Sequence, residues 1–186
     1  MDLNHVREHY RGKILAAGHT PQGVDWKDEA AQMDRLNALC LLFGNDFGYT
    51  VNDWGCGYGR LAWMTKHSRY SGYDIVPQKL NRGEFTLSDK PTQVADYTVA
   101  SGIFNVKGAI LDDEWRGYML ASIDKMAEMS SKGFGFNALC DRAPNKRYEL
   151  YYANSDAIAA FCGLYGRVSV LRYYNPFDFT IMVNKC

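Results

Sequence analysis

Residues 49–64 constrain this chain more than any other stretch. Tyr49-Thr50-Val51-Asn52-Asp53-Trp54 reads as a strand, Gly55-Cys56-Gly57-Tyr58-Gly59 as a turn, and Leu61-Ala62-Trp63-Met64 as the opening of a helix. β-Branched and aromatic residues favour the strand. Three alternate glycines permit backbone angles and close approaches that side chains would block. Such a turn aims free backbone N–H groups at whatever binds there. Two acids sharpen the reading. Asp53 stands two residues before the first glycine, and Asp74 ends a second strand-like run, Tyr70-Ser71-Gly72-Tyr73-Asp74, nineteen residues after Gly55. A carboxylate at that distance suits ribose hydroxyls, which donate hydrogen bonds to it.

The rest of the chain alternates helical and strand-like segments. Residues 2–17 carry Val6, Tyr10, Ile14 and Leu15 at near-helical spacing. Gly18-His19-Thr20-Pro21-Gln22-Gly23-Val24 breaks that helix. Asp25 is then the expected cap of a second helix bearing Ala30, Met33, Leu36, Leu39 and Phe43. After Asp74, Pro77 to Arg82 has room for only a short helix, and Phe85 to Leu87 for a brief strand. Asp96 to Asn105 is an apolar strand preceded by an acid and ended by small residues. A helix follows from Asp112 to Ser130, with three acids at its N-terminus, where negative charge is favourable. Gly133 to Leu139 is a fifth strand, and Ser155 to Leu164 a last helix ended by Gly166. Val168 to Tyr174 and Phe177 to Val183 form two final strands joined by Asn175-Pro176.

Composition narrows the function classes. The formal net charge is zero, so nothing draws the chain over long range to nucleic acid or an anionic membrane. No apolar run reaches the length of a membrane span, and the N-terminus lacks the apolar core of a signal peptide. The five cysteines are scattered, with no metal-ligand or redox spacing, which fits reduced thiols in the cytoplasm. No metal site is legible. At 186 residues the chain is most simply one domain.

The pattern Asp53-Trp54-Gly55-Cys56-Gly57-Tyr58-Gly59 resembles the first motif of the class I S-adenosylmethionine-dependent methyltransferases. Nicotinamide-binding Rossmann domains usually place the third glycine one residue later, where this chain has Arg60. The resemblance spans residues 49–184. A further likeness, through Thr20 to Trp26 and Ser101 to Asn105, is to small uncharacterised bacterial and phage-type members, and it names no substrate.

The resemblance implies an α/β Rossmann-like, doubly wound fold. Its seven-stranded sheet would be mostly parallel with a C-terminal antiparallel hairpin, and helices would cover both faces. Residues 49–186 would be the core and 1–48 a helical lid. The tight span from Gly83 to Ala95 leaves little room for the family's usual third strand and its helix. Asp89 is the positional candidate for the adenine contact, against a turn residue before Pro91.

The cofactor implied is S-adenosyl-L-methionine. Asp53, Trp54, Gly55, Cys56, Gly57 and Gly59 would hold its methionine end, and Asp74 and Ile75 its ribose side. Ser101, Gly102 and Phe104 would border the reacting methyl. Trp26, Asn105 and Arg142 would meet the acceptor, a small molecule or peptide methylated on oxygen or nitrogen. His19 is the candidate general base, because it alone of the four histidines sits on a segment expected to face the pocket. The Asp/Asn-Pro-Pro-aromatic signature of DNA amino-methyltransferases is absent, since Val106-Lys107 follows Asn105. Two other readings stay open from sequence: a nicotinamide-dependent oxidoreductase on a related fold, and a donor-binding regulator or partner subunit without catalysis.

Overall fold

The computed structural model describes residues 1–65, 67–172, 174 and 177–185. Lys66, Tyr173, the expected Asn175-Pro176 turn and the thiol of Cys186 lie outside the described residues. The strands are β1 (Thr50–Trp54), β2 (Arg69–Asp74), β3 (Glu84–Leu87), β4 (Ala95–Ser101), β5 (Ser130–Leu139), β6 (Arg167–Leu171) and β7 (Asp178–Asn184). The helices are α1 (Asn4–Ala17), α2 (Glu29–Cys40), α3 (Arg60–Met64), α4 (Asp112–Glu128) and α5 (Ser155–Cys162). All seven strands join one sheet in the order β3-β2-β1-β4-β5-β7-β6. The first five run parallel, and β7 lies antiparallel between β5 and β6. This is the mostly parallel seven-stranded Rossmann-like sheet with an antiparallel C-terminal pair that the sequence implies.

Each face of the sheet has its own apolar layer. On one, Trp115, Met119, Ile123 and Met126 of α4 meet Phe134 and Phe136 of β5 and Phe179 and Ile181 of β7. Val6 of α1 and Ile158 of α5 join that layer. On the other, Leu36 and Leu39 of α2 and Leu61 of α3 cover Val51 and Val99. Two glycines of β5 set how closely α2 can lie. A Cβ on Gly135 would sit 3.4 Å from Leu39 Cδ2, and one on Gly133 would sit 3.3 Å from Leu42 Cδ1.

Strand order reverses at β1, whose neighbours β2 and β4 diverge along the chain. In open parallel sheets a ligand crevice forms there, beyond the carboxyl ends of the strands. Among the described residues no helix is long and apolar enough to cross a membrane.

Two local expectations are corrected. Asp28, not Asp25, caps α2: its extended backbone turns a carboxylate oxygen onto Ala31 N at 2.8 Å. Asp25 instead adopts a left-handed conformation, φ 64°, after a 3₁₀ turn over Gln22–Val24. Pro77 to Arg82 contains no helix, and none lies between β3 and β4 either. With those crossovers so short, one row of the sheet carries polar side chains where a covering helix would demand apolar ones. Asn52 stands in register between Ser71 and Thr98. Its Nδ2 donates to Gln93 O at 2.8 Å, Gln93 Nε2 donates to Ser71 Oγ at 3.1 Å, and Thr98 Oγ1 donates to Met129 O at 3.0 Å.

The capping assignment is testable. Asp28→Ala should lower unfolding stability by about 1 kcal/mol in urea titration, the usual cost of losing an N-cap.

Candidate functional site

The glycine turn is built for close approach. Gly55, Gly57 and Gly59 all have left-handed φ, between 50° and 77°. Gly55 N and Cys56 N both donate to Tyr73 O, at 2.7 and 3.1 Å, which sews the turn to β2. A Cβ on Gly55 would lie 2.3 Å from Ile103 Cγ2, and one on Gly57 would lie 2.8 Å from Val24 Cγ1. The turn is thus enclosed by the β4 loop on one side and by the segment before α2 on the other.

Two carboxylates flank the turn. Asp74, at the end of β2, accepts from Gly57 N at 3.0 Å and from Val76 N at 2.9 Å. Burial raises its pKa, and those N–H groups oppose the rise. Asp53 is 4% exposed and accepts a 2.5 Å hydrogen bond from the Tyr70 hydroxyl. Burial pushes the Asp53 carboxyl up to about 7, although the Tyr70 bond pulls the other way. Asp53 is therefore a buried acid with no ion pair among the described residues, and a cation beside it would favour its ionised form.

The opposite wall is the end of β4. Asn137 Oδ1 accepts from Gly102 N at 3.1 Å, while its Nδ2 donates to Ser101 Oγ at 3.2 Å. Residues 21–27 form a strap across this wall. Asp25 is tied to α1 by His9 Nε2 at 2.8 Å and Lys13 Nζ at 2.6 Å. The turn at Asp25 lays the Trp26 ring against Gly102, where a Cβ would meet Trp26 Cζ2 at 3.2 Å. The Arg35 guanidinium lies 4.5 Å from the Trp26 ring centroid and is itself ion-paired to buried Asp178.

These walls enclose a cavity of about 440 Å³. Of the residues proposed from sequence, it brings together Asp53, Trp54, Gly55, Cys56 and Gly57 on one side. Asp74, Ile75, Ser101, Gly102, Asn105 and Trp26 complete that set. Asp89 and Ser88 lie on the lining as well.

Four proposed residues are placed elsewhere. Gly59 caps α3 and packs on Leu80. Phe104 is fully buried in the α4 layer, with its carbonyl accepting from Trp115 Nε1 at 2.8 Å. Arg142 is exposed and ion-paired to Asp156 at 3.0 Å. His19 is exposed on the turn after α1, outside the lining. The histidine that engages the strap is His9, through Asp25. Periodicity could not distinguish the two, because the turn that orients the strap is set by Asp25.

Several lining residues escaped the sequence reading. Tyr10 of α1 reaches the cavity, and burial, then the charges of Asp25 and Asp74, hold its pKa well above the ordinary value. Its place in the apolar stripe of α1 disguised it as core. Arg35 was concealed in the same way beside Leu36 and Leu39. Gln78, in the loop after β2, presents a buried Oε1 with no hydrogen-bond partner among the described residues. No sequence signal marks it.

Comparison with known proteins follows from this geometry. A Mycobacterium tuberculosis protein named "Putative methyltransferase Rv1506c" is 34% identical over 155 residues, which covers 74% of this chain and 93% of that protein. Among solved structures, magnesium protoporphyrin IX methyltransferase from Synechocystis with bound S-adenosylmethionine superposes with TM-score 0.69 at 14% identity. That match covers 100% of this chain and 98% of the other. The N-methyltransferase NodS of Bradyrhizobium japonicum, in complex with S-adenosylhomocysteine, gives TM-score 0.69 at 13% identity, covering 96% and 97% of the two chains. No protein-family model matches the chain.

Asp53 supplies a pH test. Its carboxyl titrates at about 7 in the fold, against about 4 in an unfolded chain. Between those values the folded state keeps a proton that the unfolded state releases, so this group makes stability fall as pH rises through the window. Asp53→Asn retains an acceptor for the Tyr70 hydroxyl and removes that slope. Thermal denaturation should show the variant gaining on the parent from about pH 4 to about pH 7 and holding its advantage above. A constant difference across the range would place Asp53 in contact with water.

Proposed function

The chain belongs to the class I methyltransferase family, and we propose that it transfers a methyl group from S-adenosylmethionine to an oxygen or nitrogen atom of a small-molecule or peptide acceptor. The observation that carries this reading is the Asp74 carboxylate joined to Gly57 N–H, in a cavity whose far wall is Ser101-Gly102.

The residues present fit the donor. Asp74 keeps lone pairs beyond its two backbone partners, and Gln78 Oε1 is a second buried acceptor on the same side of the cavity. Together they suit a pair of ribose hydroxyls. Asp53 suits the ammonium, since a cation beside it relieves the cost of ionising a buried acid. Ile75, Ile103 and Tyr118 offer apolar surface for a flat base.

When bound, S-adenosylmethionine supplies an activated methyl group on a sulfonium centre. The chain's own contribution is to bind, orient and exclude water. Asn137 fixes Gly102, Trp26 packs over it, and Val24 covers Gly57. Among the described residues that line the cavity none is a histidine. Orientation therefore carries the acceleration, as it can when one reactant is intrinsically reactive. Asn105 also lines this end, and its Oδ1 is buried with no hydrogen-bond partner among the described residues, which suits an N–H or O–H of the acceptor.

Calorimetry with S-adenosylhomocysteine tests the reading. Asp74→Ala should weaken binding by roughly 1.5–3 kcal/mol, the range for hydrogen bonds to a charged group. Gly57→Val should weaken it further. Parent protein that binds a nicotinamide dinucleotide but not S-adenosylhomocysteine would overturn the assignment.

The segment before β1 acts in this reading as a lid. Leu3, Val6, Tyr10 and Ile14 of α1 line the cavity together with Val24 to Lys27. Hydrogen exchange should slow around residues 18–26 when S-adenosylhomocysteine binds, as well as around residues 55–59. Protection confined to the second region would reduce the segment to packing.

A further inference from the structure

The cavity is divided by charge. At the end formed by β1 and β2, its lining acids are Asp53, Asp74 and Asp89, and Arg60 there is paired to Glu29. At the end formed by the strap, α2 and the loop after β5, the lining charges are Lys27, Arg35 and Arg147, and the lining acid is Asp25. Asp25, on the strap, is already held by His9 and Lys13. Arg35 is committed to Asp178, and Arg147 to Glu149. Lys27 alone of these three cations makes no ion pair among the described residues.

The cavity that Lys27 lines also carries large apolar and aromatic side chains. Trp26 precedes Lys27 on the strap, and Leu150 and Tyr152 face the cavity from the loop after β5. The Tyr152 hydroxyl accepts from Arg147 N at 3.0 Å, and Lys146 Nζ lies 5.8 Å from its ring centroid. An aromatic ring with a cation near one face offers the other to a planar molecule, and the cation favours negative charge on it.

Resting on the methyltransferase reading, we propose that the acceptor is an aromatic carboxylate: a flat apolar molecule seated against Trp26, Leu150 and Tyr152, with its anionic group at Lys27. The acids at the opposite end repel such a molecule, so one field sorts the two ligands to their own ends. Asp25 turns the chain immediately before Trp26 and Lys27 through its left-handed φ of 64°. The bonds from His9 and Lys13 thereby aim both recognition residues.

Calorimetric titration of the protein saturated with S-adenosylhomocysteine decides the matter, using cinnamate, its neutral amide cinnamamide, and the aliphatic acid hexanoate. Cinnamate should bind tightest, with cinnamamide about fivefold weaker, as for a partly exposed ion pair. Lys27→Gln should close that gap, and Lys27→Arg should keep it. Undetectable cinnamate binding, equal affinity for the amide, or a gap that survives Lys27→Gln would overturn the proposal. Hexanoate binding as tightly as cinnamate would overturn the aromatic part. If S-adenosylhomocysteine itself fails to bind, the donor reading falls instead, and the same comparison on the free protein still decides this one.

Discussion

One carboxylate holds the site together. Asp74 closes β2 and accepts from Gly57 N–H across the mouth of the glycine turn. The bond fixes the turn relative to the second strand, and the backbone bonds from Gly55 and Cys56 to Tyr73 repeat the constraint one residue earlier. Every other wall is referred to this corner. Ile103 and Val24 can close on the turn because its glycines have no side chains there. Burial of Asp53 behind the same turn is tolerated because Tyr70, reached from β2, supplies a donor. An anion kept in such surroundings without a partner is costly, so the pair of acids makes the empty corner less stable and more receptive to a ligand with hydroxyls and positive charge.

The parts of the fold legible in the sequence are those in which local chemistry and global position agree. The strand, glycine turn and helix at residues 50–64 share one message, and the acid at Asp74 repeats it. The parallel core and antiparallel ending are those the resemblance to the methyltransferase family implies. What misled was local chemistry that served another purpose. Asp25 has the composition of a helix cap, yet its carboxylate is taken by His9 and Lys13, and Asp28 does the capping. Phe104 sits beside the site in sequence, but the α4 layer draws its ring inward. His19 and Arg142 lie in loops whose direction depends on contacts far along the chain. Arg35, Tyr10 and Gln78 could not be read at all, because a polar residue within an apolar stripe looks the same whether it faces packing or a cavity.

The strap is fixed to the rest of the fold from more than one direction. Trp26 is held on one side by the Arg35 guanidinium and on another by the bare backbone of Gly102. Arg35 is in turn committed to Asp178 at the start of β7. Burial pushes the Asp178 carboxyl up to about 6 even against that arginine. The strap is therefore anchored to the antiparallel end of the sheet as well as to α1.

The polar row Ser71, Asn52 and Thr98 bears on the history open to this protein. A crossover helix gained between β3 and β4 would land on three hydrogen-bonding side chains and strip them of Gln93 and of water, which is costly. Making the row apolar first would take from Gln93 and Met129 O the buried partners they now have. Neither change is favourable alone, and each is tolerable only after the other, the mark of strong coupling between neighbours. The short crossover between β3 and β4 is thus held by a ratchet: a buried polar row matched to the loop around Gln93 resists a helix that would replace that loop.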